Sequence, residues 1–310
     1  MSYKNSQYER VKKLIENSKI FNNDSGNGKF RNKHYEFVLS NSKNNLFGPV
    51  HDNILDYFKN NDIAWWNGEL TNHTLSSQVA CLNHLFPIRE NKNSVLSMVR
   101  NFYPDIVDIL LIPTDKYKPA YIQFEAVSNV DHLNEKNLIR GRNCTSIDAL
   151  IYGKHKDGKK ILIVIEWKYV ELYGNEDKAS GERGTTRKKR YNELINNSQQ
   201  LKTEDYNTFY YEPFYQLMRQ TLWSEQMIAQ SKDEIIKGDD YIHIHVIPRE
   251  NKELLEKRYA PSGKNMEDTW RFLIKDQSKY KIITPKDLFE PISYIEEHGN
   301  LMNYLQKRYW

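Results

Sequence analysis

One run of five aliphatic residues limits the folds open to this chain more than any other feature. Residues 161–165 are apolar on both faces of an extended chain, which predicts a strand in the centre of a sheet. The run ends directly on Glu166-Trp167-Lys168. Because side chains alternate along a strand, Glu166 and Lys168 lie on one face and Trp167 on the other. Charged side chains rarely enter the centre of a sheet alone, so this strand end requires partners.

A hairpin supplies a partner for Glu166. The turn signal Asp157-Gly158 joins predicted strands at residues 146–152 and 161–169. A turn centred near residue 157 places Asp148 opposite Glu166, with Cβ atoms roughly 5 Å apart. Two carboxylates at that separation repel, and a hard divalent cation such as Mg²⁺ or Mn²⁺ removes the repulsion. A slip of one residue in this register would put Asp148 on the wrong face.

Asp148, Glu166 and Lys168 together suit the hydrolysis of a phosphodiester. That reaction needs an activated water and stabilisation of the charge that develops on the phosphate, which a metal between the carboxylates and the lysine can supply. One alternative is a structural salt-bridge cluster; another is a protein that binds DNA or a partner without cutting. A hydrolase of small phosphates is a further alternative, but no Gly-rich phosphate loop supports it.

The segment Ser146-Ile147-Asp148, the hairpin and Glu166-Trp167-Lys168 resemble the PD-(D/E)XK nuclease motif, with Ile147 in place of its proline. Other segments, from about Trp65 to the C-terminus, resemble a group of bacterial PDDEXK-like proteins: Ser76-Ser77-Gln78, residues 143–149, Tyr215-Gln216-Leu217-Met218-Arg219 and Arg308-Tyr309-Trp310.

The resemblance implies a restriction-endonuclease-like α/β fold, in which helices flank a mixed central sheet. Residues 46–310 are predicted as the nuclease domain. Residues 1–45, rich in Asn, Ser and Lys, lie outside the resemblance and are predicted as a polar, partly helical extension. The resemblance also implies DNA as the partner and Mg²⁺ or Mn²⁺ as the cofactor. A role in restriction or defence fits it, and a homodimer is compatible with it.

Further polar residues are candidates because related nucleases add a carboxylate or an amide near the motif. Glu125 on a predicted strand is a candidate metal ligand, and Gln78 on a predicted helix is a candidate addition to the site. Gln216 resembles a glutamine placed beside the site in related enzymes, and Arg219 lies on the same helix. For each of them, an ordinary solvated surface position is the alternative.

A basic run follows the predicted catalytic strand. It is predicted as a loop over residues 182–190 that contacts DNA phosphates through Arg183, Arg187, Lys188, Lys189 and Arg190. A solvated loop is the alternative. His243 and His245 share one face of another strand, where they are metal-ligand candidates or, more commonly, half-exposed strand residues.

Composition sets the outer limits. The chain has 310 residues, a net charge of +4 and two cysteines, which excludes a disulfide framework and favours a reducing cytoplasm. No apolar run is long enough to span a membrane. Periodicity predicts helices at residues 8–20, 75–85 with Thr74 as the cap, and 213–230, and strands at 121–127 and 241–247. This mixture indicates an α/β or an α+β class around one central sheet.

Overall fold

A computed structural model describes residues 1–66, 68–113 and 119–310. Helices flank a central six-stranded sheet, and a two-stranded hairpin lies near the N-terminus. The helices are α1 (Tyr3–Asn17), α2 (His51–Asn60), α3 (Ser77–Leu85), α4 (Lys92–Phe102), α5 (Gly181–Asn197), α6 (Phe214–Ala229), α7 (Lys252–Leu255), α8 (Met266–Leu273), α9 (Pro285–Phe289) and α10 (Gly299–Arg308). The strands are β1 (Gly28–Phe30), β2 (Lys33–Tyr35), β3 (Ile106–Ile109), β4 (Ile122–Ala126), β5 (Ile147–His155), β6 (Lys160–Trp167), β7 (Asp240–Val246) and β8 (Tyr280–Ile283).

The central sheet is mixed. Its order is β3-β5-β6-β7-β8, and β4 also pairs with β5. The β3, β4 and β6 strands run antiparallel to β5, whereas β6, β7 and β8 are parallel to one another. The strand that carries Glu166 is therefore central, as its apolar run predicts.

Two apolar layers cover the two faces of β6. Ile161, Ile163, Ile165 and Trp167 pack into one cluster, with side chains from α2, α3, α4 and α10. Leu162 and Val164 pack into the other, with side chains from α5, α6 and α8. By alternation, Glu166 and Lys168 continue the second face, toward α6.

Most predicted elements are confirmed, with ends that shift by a few residues. The helix predicted at residues 8–20 begins earlier, at Tyr3. The predicted cap of α3 is wrong: Ser76 accepts the N–H of Val79 at 3.3 Å, whereas the Thr74 hydroxyl donates to the carbonyl of Phe37. The predicted loop at residues 182–190 is also wrong.

That basic run forms the first half of α5. The glycine and the positive charge of this run suggested a loop. Tertiary packing outweighs the low helix propensity of the segment. Gly184 lies so close to the backbone of Ala179 that a Cβ would overlap it, and Tyr191 and Ile195 bury the helix against the second cluster.

Residues 1–45 pack on the main body. Tyr3, Val11 and Phe21 belong to the first cluster, and the Tyr169 hydroxyl donates to Gln7 at 3.0 Å. The boundary near residue 45 stays a prediction. Within the described residues, no helix has the length and apolar character that a membrane span requires.

Candidate active site

The β5–β6 pair brings Asp148 and Glu166 together. The predicted register is confirmed, since Ala149 pairs with Ile165 and the next position toward the site places Asp148 opposite Glu166. The Asp148 carboxylate also accepts the N–H of Trp167 at 2.7 Å. This bond ties the end of β5 to the residue between Glu166 and Lys168.

Lys168 lies one pleat beyond Glu166 and forms a buried ion pair with it. Its Nζ is 2.5 Å from Glu166 Oε1 and 2.6 Å from Gln216 Oε1. Burial opposes the charged ammonium, but the Glu166 carboxylate and then Tyr173 outweigh it and raise the pKa of Lys168 well above its usual value. Lys168 therefore stays a cation across the physiological pH range.

Helix α6 supplies two amides to this pair. Gln216, predicted from the sequence, accepts from Lys168 and also from the Tyr173 hydroxyl at 3.2 Å. Gln220, which was not predicted, donates its amide to the other oxygen of Glu166. Gln220 follows Gln216 by one helical turn, so the four-residue spacing was the available signal.

Gln78 and Glu125 form a hydrogen-bonded pair near Asp148. The Gln78 amide donates to Glu125 at 2.7 Å, and the Glu125 carboxyl is almost fully buried. Glu125 also has a φ of +48°, which is strained for a residue other than glycine. Such strain persists where the surrounding structure fixes the residue, often at functional sites.

The charges of neighbouring carboxylates disfavour the ionisation of Glu125 and Asp148. Burial is the largest cause that raises the pKa of Glu125 to about 7; Glu166 adds to it and the Gln78 hydrogen bond opposes it. Burial, followed by the charges of Glu166 and Glu125, raises the pKa of Asp148 well above its usual range. A cation placed among these groups would stabilise their charged forms.

These residues line one open cleft of about 1010 Å³. Arg187 and Arg190 from α5 also line it, half-buried, whereas Arg183, Lys188 and Lys189 are exposed on α5 and do not. The structure thus divides the predicted basic set by helix face. Contact with nucleic acid stays a prediction for all five.

Arg219 lines the cleft but is held by other residues. Its Nε donates to Thr145 Oγ1 at 2.9 Å, and its guanidinium lies 3.3 Å from Glu135. Glu135 in turn accepts from the backbone and hydroxyl of Thr145 and from Tyr191. Arg219 therefore anchors α6 to the segment that enters β5.

The donor set suits a hard divalent cation. Carboxylate oxygens are what Mg²⁺ and Mn²⁺ bind, and Mg²⁺ commonly uses one or two carboxylates together with water and substrate oxygens. Within the described part of the chain, no group of three His, Cys, Asp or Glu side chains is arranged to hold a metal ion by itself. The residues that fit are Asp148 and Glu166, with Glu125 behind them.

The two histidines of β7 are buried, so the alternative that they are half-exposed strand residues is wrong. His243 and His245 are 2% and 0% exposed and face the second cluster beside Glu166. His245 Nδ1 lies 3.0 Å from the Tyr280 hydroxyl. Their side chains pack in the core. Among the described residues, both ring nitrogens of His243 and Nε2 of His245 lack a hydrogen-bond partner, and a role as metal ligands stays an untested alternative.

Two isosteric variants should separate the roles of the carboxylates in metal-free protein. Asp148→Asn keeps an oxygen for the Trp167 N–H and removes a charge that burial disfavours, so stability should stay equal or rise, increasingly so at higher pH. Glu166→Gln leaves the Lys168 ammonium buried without its partner and should cost about 3–5 kcal/mol. Urea unfolding at pH 8 in EDTA measures both. Equal destabilisation of the two variants would contradict this assignment.

Comparison with known proteins places the chain in a family. The family model described as "Restriction Endonuclease associating with ARP" matches residues 5–310. Curated proteins and solved structures give no significant match. The family match confirms the resemblance noted from the motif, and the mixed sheet flanked by helices is the restriction-endonuclease-like fold that it implies. The chain belongs to the REase-ARP family of restriction endonucleases.

Proposed function

We propose that this chain is a metal-dependent DNA endonuclease that hydrolyses phosphodiester bonds with Mg²⁺ or Mn²⁺. One observation carries the proposal above all: the buried Lys168–Glu166 ion pair lies opposite Asp148 and lines an open cleft. Burial of these charges is costly, and a site that must act on a phosphate is a physical reason to retain them.

DNA as the substrate is supported by the family and by the cleft. The family is one of restriction endonucleases, and double-stranded DNA is the substrate of that class. The cleft is open and has a volume of about 1010 Å³. Arg187 and Arg190 contribute positive charge to its wall. Arginine at such positions binds phosphate through charge and paired N–H groups.

In this proposal Asp148 and Glu166 would hold the cation, and the nearby Glu125 carboxylate would be a further ligand. The cation supplies positive charge next to the scissile phosphate and makes a neighbouring water more acidic. Because Asp148 and Glu125 have raised pKa values without metal, cation binding displaces protons from them. Metal affinity should therefore increase with pH.

The protein's own groups position and stabilise the reacting phosphate. The Lys168 ammonium, fixed by Glu166 and Gln216, donates to a phosphate oxygen on which charge develops. Water adds to phosphorus as the bond to the leaving oxygen breaks, and a proton ends on that oxygen. One water is consumed, and a phosphate monoester and a hydroxyl are produced.

The name of the family suggests a biological setting. We extend to this chain the association with ARP that the description names, in a restriction or defence role. A homodimer stays a prediction. A protein that binds DNA without cutting is the alternative in this setting, and the cutting assay below decides between the two.

Asp148→Asn should abolish cutting without unfolding the protein. The variant weakens the cation site, and charge stabilisation supplies most of the rate, so plasmid nicking with Mg²⁺ or Mn²⁺ should fall by orders of magnitude. Lys168→Ala should also abolish cutting, with its fold verified by a thermal melt. Asp56→Asn, an exposed aspartate on α2, is the matched control and should cut like wild type. Wild-type protein that binds DNA but never cuts it with metal would contradict the proposal.

The two faces of α5 provide a matched test of DNA binding. Arg187→Ala with Arg190→Ala removes charges that line the cleft, so affinity should fall and the salt slope should decrease by about 0.9 per lost phosphate contact. Replacing Arg183, Lys188 and Lys189 by Ala removes more charge from the same helix, outside the cleft. This triple variant should have the smaller effect in a salt titration of binding without divalent metal. A larger effect from the triple variant would move the DNA path to the outer face.

A further inference from the structure

A second cavity lies behind the catalytic strand. It encloses about 500 Å³, within the range of small-molecule sites, and it opens on the face of β6 opposite Glu166 and Lys168. Helix α1, helix α3, the segment after β7 and the C-terminal residues form its walls. None of the residues predicted for the active site lines it.

Aromatic rings dominate the walls of this cavity. The rings that line it belong to Tyr3, Trp167, Tyr169, Tyr309 and Trp310. Flat aromatic walls favour a planar ligand that stacks between them. They do not by themselves distinguish a heterocycle from an apolar ring.

Two unpartnered polar atoms make that distinction. His84 Nδ1 lies 2.7 Å from the Ala80 carbonyl, so Nδ1 carries the proton and Nε2 is an acceptor. Burial lowers the pKa of His84 to about 3, which keeps the ring neutral. Among the described residues, neither His84 Nε2 nor the Trp310 Nε1–H donor has a hydrogen-bond partner, and the two rings lie 5.9 Å apart. Both atoms are buried, and they leave one unsatisfied acceptor and one unsatisfied donor on residues that line the cavity.

The rim carries more positive than negative charge. Arg10, Arg249 and Lys286 line it, opposed by Glu250 and Asp287. Arg249 lies 3.9 Å from Asp287 in an exposed pair, which is weak. Lys286 is exposed and has no ion pair within the part of the chain described. A phosphate at the rim would meet these cations.

We propose that this cavity binds a nucleotide, with the base stacked between the aromatic walls and the phosphate at Lys286 and Arg249. A nucleobase edge presents a donor beside an acceptor, which complements His84 Nε2 and Trp310 Nε1. A purely apolar ring would leave both atoms unpaired. A free nucleotide and a nucleic-acid strand are two sources of the same base chemistry, and the experiment separates them.

Trp167 links this cavity to the active site. Its ring lines the cavity, while its backbone N–H holds Asp148 at 2.7 Å. A bound nucleotide would therefore contact the residue whose backbone N–H holds Asp148. Nucleotide binding itself does not rest on the proposed function.

Calorimetry on the full chain, without DNA or divalent metal, tests the binding. The probes are AMP, GMP, CMP and UMP, a single-stranded hexanucleotide, and ribose 5-phosphate, which has the phosphate but no base. At least one nucleotide should bind, and ribose 5-phosphate should not. Trp310→Phe keeps an aromatic ring but removes the donor, and the pair Arg249→Ala and Lys286→Ala removes the rim charge. Each change should weaken binding about tenfold.

Matched controls are Tyr294→Phe, an exposed tyrosine outside both the cavity and the active-site cleft, and Lys13→Ala, an exposed lysine on α1; both should bind like wild type. Binding of the hexanucleotide alone, with the same losses, supports the site with a strand as the source. Absence of binding by every nucleotide and by the hexanucleotide would overturn the proposal. So would affinities that Trp310→Phe and the rim variant leave unchanged. A protein that binds nucleotide but never cuts DNA would retain this site and refute only the nuclease.

Discussion

The buried ion pair between Lys168 and Glu166 is the interaction on which the rest of the site depends. A lysine ammonium that is 4% exposed is tolerable only with charged and polar partners on every side. The structure supplies them from three elements: Glu166 on β6 itself, Gln216 on α6 and Asp148 on β5. Gln220 on α6 in turn donates its amide to Glu166. The hairpin, the central position of β6 and the packing of α6 all serve to bring these groups together.

The ion pair does not neutralise the site. Asp148 and Glu125 remain beside Glu166 with raised pKa values, so the metal-free protein holds more carboxyl groups than it can ionise at low cost. This excess is a physical reason for a cation to bind there. Trp167 connects the two faces of the sheet. Its backbone N–H donates to Asp148 on the active-site side, and its ring packs on the opposite face.

The centre of the site was predictable from the sequence because its determinants are local. The apolar run, the Asp157-Gly158 turn and the period of two fix the register that places Asp148 opposite Glu166. Features that depend on contacts between residues distant in sequence were harder to predict. Gln220 was missed because a glutamine on a helix is usually a surface residue. Its role becomes visible only when this face of α6 is known to lie against Glu166. The glycines of α5 suggested a loop, and only the tertiary contacts of Gly184, Tyr191 and Ile195 explain the helix. The φ of Glu125 and the cavity behind Trp167 depend on long-range packing that no sequence pattern states.

The location of a bound metal tests the central claim most directly. Crystals of the protein soaked in Mn²⁺, with data collected at the manganese absorption edge, would show the ion by anomalous scattering. The account predicts one strong peak in direct contact with carboxylate oxygens of Asp148 and Glu166, and loss of that peak in Asp148→Asn. A strong peak elsewhere, with Asp148 and Glu166 free of metal, would contradict it.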